Sequence, residues 1–210
     1  DSALKQFTSA LEISQQDNDP KSQSLALLGR GRCRMRQAIH ASKDDAERRS
    51  RLTEALSDLN ESITVAGMWP LRQAEANRWI ATIYQHPLFA ETAKATDLFD
   101  KAAALAKDAN PSWPYYELER ANHALQLAGK LIDPADLRRP QPPVRDLLTK
   151  ARAYAQALLE NTTDSRIDER HRQQAAVLVA KSYVWEGTPQ KAAELLDQPF
   201  KSLRPEESYK

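Results

Sequence analysis

The chain has 210 residues, of which 41% are hydrophobic and 28% charged, so it can bury a substantial core. Its formal net charge of +1 gives no bulk electrostatic reason to expect a nucleic-acid or membrane partner. No apolar run approaches the ~18 residues of a membrane span, and the single cysteine, Cys33, excludes an internal disulfide. The totals favour a cytoplasmic protein, and the chain as given shows no signal-peptide pattern.

Apolar residues recur at helical spacing along most of the sequence, and no alternating strand pattern occurs, which predicts an all-α fold. In chain order the predicted helices are Ser2–Gln15, Lys21–Ala41, a third capped within Ser42–Asp45 and reaching Ala66, Leu71–Gln85, two within Ala95–Gly129, Val144–Asn161, one capped at Thr163–Asp164 and reaching Glu186, and Gln190–Gln198. Gly129 and Gly187 are expected to end helices, and the proline-rich stretch Asp133–Pro143 is expected to be a loop.

Alternate helices share one pattern, in which a large residue is followed after two variable positions by an apolar residue and then a small one. The small residues are Gly29, Ala81, Asn122 and Ala180, and we expect a neighbouring helix to approach closely at each of them. The apolar stripe of a single helix needs a neighbouring helix to be buried, so the pattern predicts antiparallel helical hairpins that pack on one another.

Two stretches carry a resemblance to a known family. Leu28-Gly29 with Ala3, Phe7 and Ala10, and Tyr183 followed by Gly187-Thr188-Pro189 and Ala192, resemble the tetratricopeptide repeat. The small residues recur at unequal intervals rather than at the family's ~34 residues, so the repeats are divergent. The resemblance implies an α-α superhelix (solenoid) of about four hairpins over residues 1–198, with 199–210 as a tail. The chain begins with a lone helix of the second type, which suggests a piece of a longer protein.

The same resemblance implies that the first helix of each hairpin lines a concave groove. In that family the groove positions stand at fixed distances from the small residue of each first helix. Counted in this way, the expected groove residues are Arg30, Arg34, Arg78, Thr82, His86, His123, Lys181 and Trp185. Arg30 and Arg34 stand one turn apart and could grip one carboxylate, so an acidic or C-terminal-carboxylate segment of another protein is the expected partner. The alternative is that these arginines belong to a solvated, salt-bridged helix surface.

Motifs for chemistry are missing from the sequence. The four histidines have no metal-ligand spacing, and neither a phosphate-binding glycine loop nor a nucleophile elbow occurs. We therefore expect a protein-interaction scaffold, with no catalytic residue, metal or cofactor and no nucleic-acid or membrane partner. Two alternatives stay open: a regulatory or partner-recruiting domain of a larger enzyme, and a helical solenoid that binds nucleic acid. The sequence leaves the oligomeric state open.

Overall fold

The computed structural model describes residues 2–108, 111–132 and 140–201, with side chains up to residue 197. Within these ranges the chain forms nine α-helices and no β-strand, which confirms the all-α prediction. The helices are α1 Ser2–Gln16, α2 Pro20–Ala41, α3 Asp45–Ala66, α4 Pro70–Gln85, α5 Thr92–Lys107, α6 Trp113–Leu131, α7 Pro142–Glu160, α8 Glu169–Trp185 and α9 Pro189–Lys201. Most of the predicted loop Asp133–Pro143, and nearly all of the predicted tail, lie outside the described residues.

Proline and aspartate set most helix starts. Proline occupies the first turn of α2, α4, α6 and α7, where its missing N–H costs no hydrogen bond. Asp19, Asp44 and Asp168 cap α2, α3 and α8, because each carboxylate accepts a backbone N–H from the first turn.

Two predicted helix ends are wrong. The cap expected at Thr163–Asp164 is a turn instead, because the Asp164 carboxylate accepts the backbone N–H of Arg166 at 3.0 Å and its guanidinium Nη2 at 2.7 Å. Gly129 lies inside α6, where a β-carbon would stand 3.0 Å from the indole of Trp185. Gly129 therefore makes room for a neighbouring side chain rather than ending its helix. Gly187, with φ of 82°, does follow the end of α8.

Consecutive helices pack in neighbouring pairs, as the hairpin prediction requires. The most extensive packing joins α2 to α3, α4 to α5 and α6 to α7, while α8 packs on α9 and the lone α1 packs on α2. First helices also meet each other, α2 with α4 and α6 with α8. The chain divides into two compact units, Asp1–Asn110 and Pro111–Lys210, each described by itself below. The single repeat domain over 1–198 stays a prediction.

The first unit is closed most tightly between α2 and α3. A β-carbon on Gly31 would lie 2.8 Å from Leu59 Cγ and 3.2 Å from the carbonyl oxygen of Ala55, so only glycine permits this approach. One side of the seam holds Ser24 and Ser62, both fully buried, each of which donates its hydroxyl to the other's carbonyl at 3.1 and 2.9 Å. Gly29 faces α1 instead, where the ring of Phe7 covers it.

The second unit has its core between α6, α7 and α8. Leu125 and Leu148 are fully buried there, and Ala124, Ala128, Val144 and Ala151 surround them. Trp185 and Leu178 of α8 pack against this cluster while keeping part of their surface exposed. Burying large side chains beside alanines lets the helix axes come close, as in other helical hairpin packings.

Candidate partner-binding site

Arg30 and Arg34 do share one carboxylate, but it belongs to Asp58 of α3. Arg30 donates from Nε to Oδ2 at 3.0 Å and from Nη2 to Oδ1 at 2.6 Å, and Arg34 donates from Nη1 to Oδ2 at 2.7 Å. The Asp58 side chain is 3% exposed, whereas those of Arg30 and Arg34 are 17% and 25% exposed. The hydrogen bonds to Asp58 raise the pKa of Arg30. Both arginines therefore hold α2 to α3 and are engaged within the chain.

Arg32 stands on the opposite face of α2 and reaches α4. Its Nη1 donates to Glu75 Oε1 at 3.0 Å, and its guanidinium carbon lies 4.9 Å from the centroid of the Trp79 ring. Arg36 follows one turn later and is exposed, with no hydrogen bond or ion pair in the described part of the chain.

Arg78 of α4 lies over the same indole as Arg32, at 4.3 Å from the ring centroid. Two guanidinium groups thus lie over one tryptophan, and each such contact is worth about 0.5–1 kcal/mol at a partly exposed site. We name the surface formed by Arg32, Arg36, Glu75, Arg78 and Trp79 the Trp79 face. It carries three arginines against one glutamate, so its field favours an anion.

The remaining expected groove residues of α4 differ in their roles. Thr82 is partly buried, stands one turn beyond Arg78, and its hydroxyl donates to the Arg78 carbonyl at 3.0 Å. His86 caps the end of α4, and its Nδ1 accepts the backbone N–H of Leu88 at 3.3 Å. Desolvation, and to a lesser extent the charge of Arg48, lower the pKa of His86. His86 therefore ties down the turn after α4.

In the second unit the three expected groove residues separate. His123 is 3% exposed, so no partner can reach its side chain in this structure. Lys181 is exposed, with its ammonium 4.7 Å from the centroid of the Trp185 ring. Trp185 packs over Gly129 of α6 and is half-buried. Lys181 and Trp185 lie together, and His123 belongs to the interior.

A cavity that the sequence did not indicate opens in the second unit. It encloses about 560 Å³ and is lined by Tyr115, Leu118, Glu119 and Asn122 of α6, by Gln173, Gln174, Ala176, Val177 and Leu178 of α8, and by Leu196 of α9. Tyr115 and Val177 are 42% and 54% exposed. Ligand clefts commonly have volumes of roughly 300–1,000 Å³, so this one has the size of a binding site.

A neighbouring helix does approach closely at Gly29, as expected, but it is the lone α1, whereas Asn122 lies at the surface. Gly31, not Gly29, meets α3, which turns Arg32 rather than Arg30 towards α4. In α6 Asn122 is exposed and lines the cavity, while Ala121 beside it is fully buried. Ala81 and Ala180 are both buried, and the close approach expected at each of them stays a prediction. Gly31, which meets α3, lies two residues from Gly29 in the run Gly29-Arg30-Gly31. The side chain of Asn122 is larger than that of its neighbour Ala121, and this difference in size could have indicated Ala121 instead.

In the described ranges no three His, Cys, Asp or Glu side chains are placed to hold a metal ion. Cys33 is a partly exposed free thiol. Among the described helices none is long and apolar enough to cross a membrane.

Comparison with known proteins adds no family. The chain matches none of the protein-family models and none of the curated proteins. Among solved structures it is similar to the crystal structure of BtubC (BKLC) from P. vanneervenii, with 13% sequence identity and a TM-score of 0.45, over 100% of this chain and 92% of that one. A likeness at this score carries no argument about fold or function.

Proposed function

We propose that this chain is a tetratricopeptide-like array of helical hairpins that binds an acidic segment of a partner protein on the Trp79 face, without chemistry of its own. The single observation that carries the proposal is the pair of arginines, Arg32 and Arg78, over the ring of Trp79, with the exposed Arg36 beside them.

The ion pairs within the chain favour the Trp79 face as the binding site over Arg30 and Arg34, which were expected from the sequence. Arg30 and Arg34 already share a buried carboxylate, so part of their charge is compensated within the chain. Arg36 has no such internal partner in the described ranges and keeps its charge at the surface. Guanidinium groups pair with carboxylates through two parallel hydrogen bonds, and this geometry favours aspartate and glutamate side chains or a free C-terminus.

The experiment is a selection of random dodecapeptides on the whole chain, followed by binding measurements on synthetic copies of the enriched peptides. We expect the enriched peptides to be acidic. Arg36→Glu should weaken their binding by about 10- to 100-fold, since one hydrogen bond to a charged group is worth about 1.5–3 kcal/mol. Arg145→Glu is the matched control, because Arg145 is an exposed arginine on α7, in the other unit.

Far-UV circular dichroism of both variants is the control that tests whether they remain folded. The proposal is overturned if no peptide is enriched, if the enriched peptides are not acidic, or if Arg36→Glu and Arg145→Glu bind them equally well. Raising the salt concentration should weaken binding to the wild-type chain. The attraction between exposed charges is largely screened beyond about 10 Å at 0.1 M ionic strength, and this distance shortens as salt is added.

A further inference from the structure

We infer that the cavity of the second unit is a separate peptide-binding site, which takes a large apolar side chain that stands next to a lysine or arginine. Its chemistry is the opposite of that of the Trp79 face, so the two sites would recognise different segments. The inference does not depend on the proposed function.

The walls of the cavity set the apolar part of the ligand. Leu118, Ala176, Leu178 and Leu196 come from three different helices and converge on one space of about 560 Å³. Val177 and Tyr115 stand at its rim with about half of their surface exposed. An aromatic side chain inserted here would remove from water both its own apolar surface and that of the rim residues, which favours binding.

The polar residues of the cavity suit a peptide backbone. Asn122, Gln173 and Gln174 each carry one amide that can both donate and accept a hydrogen bond. The Nε2 of Gln173 already donates to Glu169 Oε1 at 3.3 Å, which leaves its amide oxygen for a ligand. A peptide bond presents the same two functions in one plane. Three amides around an apolar space can therefore satisfy the main chain on either side of an inserted side chain.

Charge sets the residue next to the inserted side chain. Among the described residues that line the cavity, Glu119 is the only acidic or basic one. Lys181, one turn beyond Val177 on α8, holds its ammonium over Trp185 rather than at the cavity wall. A cationic neighbour of the inserted side chain would meet a carboxylate, whereas an anionic one would lie close to a like charge.

The test uses three defined probes, acetyl-Gly-Lys-Phe-Lys-Gly-amide and the analogues in which both lysines are replaced by glutamine or by glutamate. They are titrated into the whole chain with isotope-labelled leucine and valine methyl groups, and binding is followed by nuclear magnetic resonance. We expect the lysine peptide to shift the methyl signals of Val177 and Leu196. Its dissociation constant should be about three- to fivefold lower than that of the glutamate peptide, as one partly exposed ion pair allows.

Two variants make the test specific. Glu119→Gln should bring the three dissociation constants to within about twofold of one another. Val177→Glu should abolish the shifts at Leu196. Val184→Glu, which changes an equally exposed valine of the same helix outside the cavity, should leave them unchanged.

The inference is overturned if the lysine peptide produces no shift at Val177 and Leu196 at a peptide concentration of about 5 mM, which would place its dissociation constant well above that concentration. It is equally overturned if the glutamate peptide binds as tightly as the lysine peptide, or if Val177→Glu and Val184→Glu behave alike. Arg36→Glu should change none of these titrations, so this result and the one at the Trp79 face can fail separately.

Discussion

Replacement of Asp58 by alanine should be among the most destabilising single changes in the first unit. The substitution removes three hydrogen bonds, two from Arg30 and one from Arg34, and leaves both guanidinium groups without their shared carboxylate. Removal of one partner of a buried ion pair costs roughly 3–5 kcal/mol. Arg30 and Arg34 keep 17% and 25% of their side-chain surface exposed and can be partly hydrated, so we expect a value of about 3 kcal/mol, at the lower end of that range.

Glu54 supplies the matched control for this prediction. It is also a carboxylate of α3, and it also meets Arg34, at 3.4 Å from Nε, but its side chain is 53% exposed. An exposed pair contributes about 0–1 kcal/mol, so Glu54→Ala should lower the free energy of unfolding by less than about 1 kcal/mol. Urea unfolding followed by far-UV circular dichroism measures both variants at a pH where the carboxylates are ionised.

Asp58→Asn keeps the shape of the side chain and one acceptor oxygen, so it should lose less stability than Asp58→Ala. This variant keeps the prediction measurable even if the alanine variant does not fold. The reasoning about Asp58 is refuted if Asp58→Ala is no more destabilising than Glu54→Ala. It is also refuted if replacing Arg30 and Arg34 together by alanine leaves the stability unchanged.

Three further predictions follow from local geometry. Gly31→Ala should lower the free energy of unfolding by about 1–3 kcal/mol, since the new β-carbon would meet Leu59 of α3 at 2.8 Å. Gly129→Ala should change the free energy of unfolding, measured by thermal denaturation, by less than about 1 kcal/mol. The new β-carbon would face only the end of the Trp185 side chain, and alanine has the higher helix propensity. The hydrogen bonds of Arg166 lower the pKa of Asp164 from 3.8 to about 2, so the stabilisation from this pair is complete above pH 3.8 and is lost as the pH falls towards 2. Arg166→Gln should move the nuclear magnetic resonance titration of the Asp164 carboxyl towards 3.8, and an unmoved midpoint would contradict the assignment. Asp44→Ala should cost about 1 kcal/mol in urea unfolding and Asp44→Ser much less, because serine also caps α3.

The sequence was sufficient for the helices and their pairing. Apolar spacing identified each helix, and prolines such as Pro70 and Pro189 located the starts of α4 and α9 to within one residue. The start of α8 was misplaced by four residues because Asp164 and Asp168 are equally suitable caps, and the choice depends on the pairing of Asp164 with Arg166.

The candidate site was less accessible to sequence reasoning, for a geometric reason. Each residue along a helix is a rotation of about 100°, so taking Gly29 in place of Gly31, two residues away, turned the expected groove face of α2 by about 200° and away from α4. Both glycines meet another helix, and only the three-dimensional contacts with Phe7 and Leu59 tell them apart. Likewise, no local pattern shows that Asp58, 24 residues beyond Arg34, is the carboxylate that the two arginines share.

The reciprocal hydroxyl pair of Ser24 and Ser62 has a consequence for the uniqueness of the first hairpin. Leucines and alanines recur so regularly that α2 could slide along α3 by one turn, about 5.4 Å, and still find apolar neighbours. Such a slide would break the two hydroxyl-to-carbonyl hydrogen bonds between the helices and pull Asp58 away from Arg30 and Arg34. These polar contacts thus select one axial alignment of α2 and α3, whereas apolar contacts alone would allow several.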